Sequence, residues 1–263
     1  HVYHGSTHGG MSLMGDERFR NPFRPLLPDV RYIRYNNEDD LAGITHRTAC
    51  VMVEPIQAEA GIVLPQYDYL KKLRERCTET GTLLIFDEVQ TGFGRTGSLF
   101  GMTKYGVYPD IFTIAKAMGG GMPIGAFVAS KKVMDSLKKD PGLGHITTFG
   151  GHPVSAAAAH ASLQVLLEEK LVETASSKGE IYLNELTHPR IRNMWGIGLF
   201  IAVELEDVST VQRAMKKLAE HGLITDQFIF KPKAFRIAPP LTITPSEIRE
   251  SISRIRNALD NLG

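Results

Sequence analysis

Residues 83–97 read LLIFDEVQTGFGRTG, and residues 111–116 read IFTIAK. Each stretch opens with an apolar or β-branched run of buried-strand length. Each run stops at a charged side chain, Asp87 in the first and Lys116 in the second, followed by a loop that carries glycine. Open α/β sheets build their sites in this way, with strands delivering polar groups to the crevice at their carboxyl ends. The two stretches therefore predict an α/β sheet with a carboxylate and an amine at its ligand-binding edge.

Working outward, strands and helices alternate. An apolar strand, VMVEP from residue 51, is followed by a helical pattern that should begin just after Pro65, a favourable first-turn residue. A short helix near 99–106, the IFTIA strand and an apolar run from Ile124 complete a βαβ order, which predicts a mostly parallel sheet with helices on both faces. An Ala- and Leu-rich helix over 153–170 leads out of this part. Beyond it the texture changes to a charged helix ending near Leu186, strands over 197–205 and 235–237, and a helix over 209–220 between them. The final helix starts at Thr244-Pro245-Ser246-Glu247, a capping box with proline at the first position, and repeats Ile248, Ile252, Ile255, Leu259 and Leu262 at intervals of four and three. The expected organisation is a large domain over 1–169 and a small α+β domain over 170–263.

The composition suits a soluble enzyme: 263 residues, 43% hydrophobic and 22% charged, give ample core. A formal net charge of +1 provides no electrostatic reason to bind nucleic acid or an anionic membrane. The one dense basic cluster, KKLRERC from Lys71, shares its helix with Tyr69, Leu70, Leu73 and Cys77, so it reads as a solvated face. Of the two cysteines, Cys50 is expected inside an apolar strand and Cys77 on this helix. Neither forms a CxxC pair, which favours a reducing, cytoplasmic compartment. His145, His152 and His160 lack metal-ligand spacing, and capping or packing accounts for them better; no metal is expected.

An amine and an acid so placed suit pyridoxal 5'-phosphate (PLP), which needs a lysine for its Schiff base and an acid facing its pyridine nitrogen. The surrounding words are more specific. FDEVQTGFGRTG and DIFTIAKAMGGGMPIGA, in this order and at this separation, closely resemble the signature of the class III aminotransferases of the ornithine, acetylornithine and 4-aminobutyrate type. The likeness continues through VEPIQAEAG at 53–61, TTFGGHPVSAA at 147–157 and FRIAPPLTIT at 235–244. It implies PLP fold type I, with a mostly parallel large domain and a small C-terminal α+β domain. It also implies a homodimer with its sites at the interface, an amino donor, and 2-oxoglutarate as acceptor.

The same resemblance distributes roles. Lys116 would hold the cofactor and move the substrate proton, and Asp87 would face the ring nitrogen. Val89 would pack on the ring and Gln90 would bond its phenolic oxygen. Tyr3, with His4, matches the aromatic segment on the opposite ring face, and Thr148 matches a threonine reaching the phosphate of the partner subunit. Arg236 lies in an otherwise apolar strand, where a guanidinium needs an anionic partner. It matches the family arginine that grips an α-carboxylate, and Glu59 matches the acid that pairs with it. Gly119, Gly120 and Gly121 read as a backbone that a ligand can approach closely. The opening HVYHGSTHGG looks like an internal segment of the family, so the loop cradling the cofactor phosphate, and any targeting peptide, are expected upstream. Two departures bear on the substrate: Ser6 stands where many relatives carry a carboxylate-binding arginine, and Ala58 replaces a usual glycine. They leave the donor open. Another PLP reaction on this scaffold, such as that of an aminomutase or a decarboxylase, stays an alternative, as does an inactive chain that only dimerises.

Overall fold

The computed structural model describes residues 1–142 and 145–262. Short helices α1 (His8–Leu13) and α2 (Glu17–Arg20) precede the first strand, β1 (Cys50–Val53). Helix α3 (Tyr69–Thr80) leads to β2 (Leu83–Asp87), and α4 (Gly101–Tyr105) leads to β3 (Ile111–Ile114). A 3-10 turn over Lys116–Gly119 precedes β4 (Ala126–Ala129). The strands lie in the order β1-β2-β3-β4, with the first three parallel and β4 antiparallel at the edge.

Helix α5 (Lys131–Met134) and the long α6 (Pro153–Glu168) follow. Lys170, in the left-handed region at φ 51°, turns the chain from α6 into α7 (Leu171–Glu185). The remainder is an antiparallel sheet of β5 (Asn193–Ile197), β6 (Phe200–Glu204) and β7 (Ala234–Ile237), with α8 (Val208–Glu220) and α9 (Pro245–Asp260).

The sequence patterns explain most of these elements. In α3 the face bearing Tyr69, Leu70, Leu73 and Cys77 is buried, while Lys71 and Lys72 pair with Asp68 and Glu38 at the surface. In α9 Thr244 and Glu247 exchange both bonds of the capping box, and Ile248, Ile252, Ile255 and Leu259 enter the core. Full burial contributes about 2 kcal/mol for each such side chain. One core cluster joins α7, α8 and α9 to the antiparallel sheet, and a second joins α3 to β1 and β2. A third joins the loop after β1, through Ile56, Ala58 and Ile62, to the antiparallel sheet and its approach, through Phe200, Ala202 and Phe228.

Three expectations need correction. Helix α3 begins at Tyr69, four residues after Pro65, because Tyr67 takes a left-handed φ of 47° that a helix cannot absorb. The single strand expected over 197–205 is two strands, β5 and β6, joined at Gly198-Leu199. Gly198 has φ 57° and packs so tightly on the 95–97 backbone that a Cβ would come within 2.6 Å of the Arg95 carbonyl oxygen. Cys50 begins β1 and is exposed instead of lying inside it, whereas Cys77 is buried. Among the described residues no helix is long and apolar enough to cross a membrane.

Candidate active site

The carboxyl ends of β1, β2 and β3 bring Glu54, Asp87 and Lys116 to one edge of the sheet. Asp87 closes β2 and is 7% exposed. Its Oδ1 accepts the Val89 N–H at 3.0 Å, and its Oδ2 lies 2.7 Å from His4 Nδ1. These contacts orient the carboxylate and offset part of the cost of burying it. Next to it, Glu88 points away into the structure. It accepts the Gly101 and Met102 N–H groups at 2.8 and 2.7 Å and the Thr91 hydroxyl, so a buried acid anchors the start of α4. Burial pushes the Glu88 carboxyl up despite those bonds.

Lys116 follows β3 at φ 48°, an uncommon conformation for a lysine. Burial pulls its ammonium below the ordinary lysine range, while Glu59 and Asp87 oppose the shift. It lines a cavity of about 820 Å³ together with Val89, Gln90, Arg95 and Arg236. Gly120 also reaches this cavity, but its close contact is with α6: a Cβ there would meet Ser162 Cβ at 2.9 Å and the Ala158 oxygen at 3.2 Å. Helix packing, more than ligand approach, requires the glycine.

In the lining of the same cavity, Arg236 of β7 donates from Nη2 to Glu59 Oε1 at 2.8 Å and from Nη1 to Gln90 Oε1 at 3.0 Å. Gln90 Nε2 in turn donates to Glu59 Oε1 at 3.1 Å, and Phe228 lies 5.1 Å beneath the guanidinium. Burial alone would raise the Glu59 carboxyl, but Arg236 and the hydrogen bonds hold it below its ordinary value. Arg236 Nε is buried without a partner, so the fork keeps unused donor capacity.

The other predicted residues sit apart from the cavity wall. Tyr3 is half-buried and its backbone N–H reaches Glu54; Ser6 and Thr148 are exposed. His145 packs edge-on against Phe127 at 5.2 Å, and His152 immediately precedes α6 beside Phe149.

Two further residues escaped the sequence reading. Glu54 ends the apolar run of β1 just as Asp87 ends that of β2, which is the signal that could have found it. Arg95 lines the cavity from the loop after β2, and its Nη1 donates to the carbonyls of Leu199 at 3.1 Å and Pro239 at 2.5 Å. Burial lowers its guanidinium to about 10.

A family model described as "Aminotransferase class-III" matches residues 1–259. The chain belongs to the class III aminotransferases. The ornithine aminotransferase from Toxoplasma gondii ME49 is 34% identical with a TM-score of 0.88, the match covering 98% of this chain and 62% of that one. An aminotransferase of Bacillus anthracis is 28% identical with a TM-score of 0.88, covering 98% and 67%. An amine transaminase from an uncultivated Pseudomonas species, solved with PLP bound, is 28% identical with a TM-score of 0.88, covering 100% and 68%. The chain thus spans about 62% of the length of the ornithine aminotransferase it matches.

PLP is the cofactor of this family, in PLP fold type I. The residues here fit it: a buried, oriented carboxylate and an amine with lowered proton affinity meet at one sheet edge, beside a cavity within the usual size range of cofactor sites.

Proposed function

We propose that the protein is a PLP-dependent aminotransferase that moves an amino group from an amino acid or amine, of the ornithine, acetylornithine or ω-amino acid type, to 2-oxoglutarate. One observation carries this reading: Lys116 and the Arg236–Glu59–Gln90 cluster face a single cavity, with Asp87 at its sheet edge. When bound, PLP supplies an electrophilic carbon and a ring that accepts electrons from a substrate carbon.

The chain's own residues do the rest. Lys116 Nζ, whose proton affinity burial lowers, would release its proton more readily than an exposed lysine, and would be the group that holds the cofactor and carries the substrate proton. Asp87 would be the acid facing the ring nitrogen, and His4 and the Val89 N–H hold its two oxygens in place. Val89 and Gln90 line the cavity, where Val89 would pack on the ring and Gln90 would bond its phenolic oxygen. Arg236 presents a planar fork to a carboxylate, for which it must leave Glu59. Glu59 takes the arginine back when a substrate without that carboxylate occupies the site.

We further take residues 1–169 as the large cofactor-binding domain, with Tyr3 in its own site, and 170–263 as the small domain, in a homodimer where Thr148 reaches the site of the partner subunit. The exposure of Ile146 at 72% and Phe149 at 79%, flanking Thr148, supports a partner surface there. Free Cys50 and Cys77 support a reducing compartment.

The test combines two measurements. After incubation with PLP and borohydride, peptide mapping should place the adduct on Lys116, and Lys116→Ala should lose it together with several orders of magnitude of turnover. With an amine donor, 2-oxoglutarate should be converted to glutamate stoichiometrically. Adduct formation without glutamate would replace transamination by another PLP reaction. Absence of the adduct would remove the reading altogether.

A further inference from the structure

Val53 pairs with Phe86 in the parallel register, so the next residues, Glu54 and Asp87, stand side by side where β1 and β2 end. Both reach the same dipeptide. Asp87 Oδ2 contacts His4 Nδ1 at 2.7 Å, and Glu54 Oε1 accepts the Tyr3 backbone N–H at 3.4 Å, the long end of a hydrogen bond. The other Glu54 oxygen, Oε2, accepts the Ala58 N–H at 2.9 Å, in the loop that carries Glu59. Glu54 is 4% exposed, and its hydrogen bonds come from backbone N–H groups. We propose that Glu54 is a positioning residue that, with Asp87, fastens the Tyr3–His4 segment and the 58–59 loop to the carboxyl edge of the sheet, and that it does so as the neutral acid, leaving Asp87 the single anion there.

Two adjacent buried carboxyls do not both ionise cheaply, and their surroundings decide which keeps the proton. Asp87 has the His4 ring at one oxygen and an N–H at the other. Glu54 is the more deeply buried, and it faces Asp87 and Glu59, both acids. Tyr35 lies close, its hydroxyl donating to the Pro55 carbonyl at 2.7 Å, and Lys116 feels the Glu54 charge. Burial first, then Asp87 and Glu59, push the Glu54 carboxyl up to about 8, against the pull of the two N–H groups. A neutral Glu54 keeps one carbonyl oxygen, enough for the N–H of Tyr3, while its hydroxyl oxygen, a weaker acceptor, meets the N–H of Ala58. Ionisation would put a second negative charge beside Asp87 and raise the proton affinity of Lys116, which counts for the chemistry only if the proposed function holds.

The fastening and the proton are both testable in cofactor-free protein, using Glu54→Gln, which is neutral and keeps one acceptor oxygen for the Tyr3 N–H, and Glu54→Ala, which removes both. At a single pH near 6.5, hydrogen exchange of residues 2–10 should stay within about threefold of wild type in Glu54→Gln and accelerate more than about tenfold in Glu54→Ala. Should Glu54→Ala fail to fold, Glu54→Met, of similar volume, takes its place. Unchanged exchange without the acceptor would overturn the fastening. The proton is read from denaturation between pH 5 and 9. Over the range from about 4.5 to 8 the folded wild type keeps a proton that the unfolded chain has released, so its stability falls as pH rises and levels off above 8. Glu54→Gln should lack this component, the ratio of the two folding constants shifting by on the order of a thousandfold across the range. Parallel pH profiles would overturn the neutral acid. Loss of PLP binding in wild type would refute the proposed function and leave both results standing.

Discussion

Replacing Arg236 with methionine should expose how the cluster around Glu59 holds together. In wild type the guanidinium side chain is 14% exposed and the Glu59 carboxylate 8%, at an N–O distance of 2.8 Å. Removing one partner of a buried pair costs about 3–5 kcal/mol, because the other charge is left uncompensated. This pair opens toward a cavity, so about 3 kcal/mol at pH 7 is the better figure. The loss should depend on pH. In wild type the Glu59 carboxyl is held low, so its contribution is present above the unfolded value near 4.5 and disappears as pH falls through the folded value. In Arg236→Met burial dominates and Glu59 moves above 4.5, so the variant loses stability as pH rises from there. The gap between the two proteins should therefore shrink toward pH 4 and widen toward pH 7. Urea denaturation at a series of pH values measures it. Adding Glu59→Gln to Arg236→Met removes the stranded charge and should restore about 2 kcal/mol at pH 7. A pH-independent gap, or no recovery in the double variant, would refute the assignment of the loss to Glu59.

Asp87→Asn keeps the shape at the end of β2 and removes the charge. PLP should still bind covalently, while the half-reaction slows at least ~100-fold, about 2.7 kcal/mol of transition-state stabilisation; rapid mixing under single-turnover conditions reads it. Arg95→Gln loses the bonds to the Leu199 and Pro239 carbonyls, and should cost about 2 kcal/mol in denaturation. Because Pro239 lies three residues beyond Arg236, the Michaelis constant for 2-oxoglutarate should rise more than turnover falls, and an unchanged constant would limit Arg95 to a stabilising role. For Ser6, a donor panel should find 4-aminobutyrate poorer than an amine or a neutral-ended substrate, with Ser6→Arg improving it by on the order of 2–4 kcal/mol at most. Strong wild-type preference for 4-aminobutyrate or ornithine would show that another residue binds the distal carboxylate.

What was legible in the sequence follows from how local the cause is. Asp87 and Lys116 were legible as charges at or just beyond strand ends because each follows an apolar run of strand length, and the sheet order puts those two ends side by side. The capping box at Thr244 and the apolar period of α9 are likewise contained within one helix. Strand β5 escaped because NMWGI carries asparagine and glycine and is only half-buried, so no apolar run announces it. Tyr67 misled the placement of α3 because a left-handed residue before a helix leaves no compositional trace unless it is glycine or asparagine.

The site was legible in a different way. Glu59, Gln90 and Arg236 are separated by 31, 146 and 177 residues within their hydrogen-bonded pairs, and no periodicity links them. Their association came from the wording of the motifs, and the fold supplies the physical reason: the third core cluster presses β6 onto the loop after β1, bringing β7 and Arg236 to Glu59. Thr148 is one step further removed. It is exposed, in a segment where Ile146 and Phe149 are exposed as well. Two exposed apolar side chains beside Thr148 are consistent with the partner surface proposed above. A residue whose partners sit on a second chain has neither a period nor a neighbour to announce it. Its signal is the uncovered apolar surface around it, and that surface is visible only once the fold has decided which side chains remain outside.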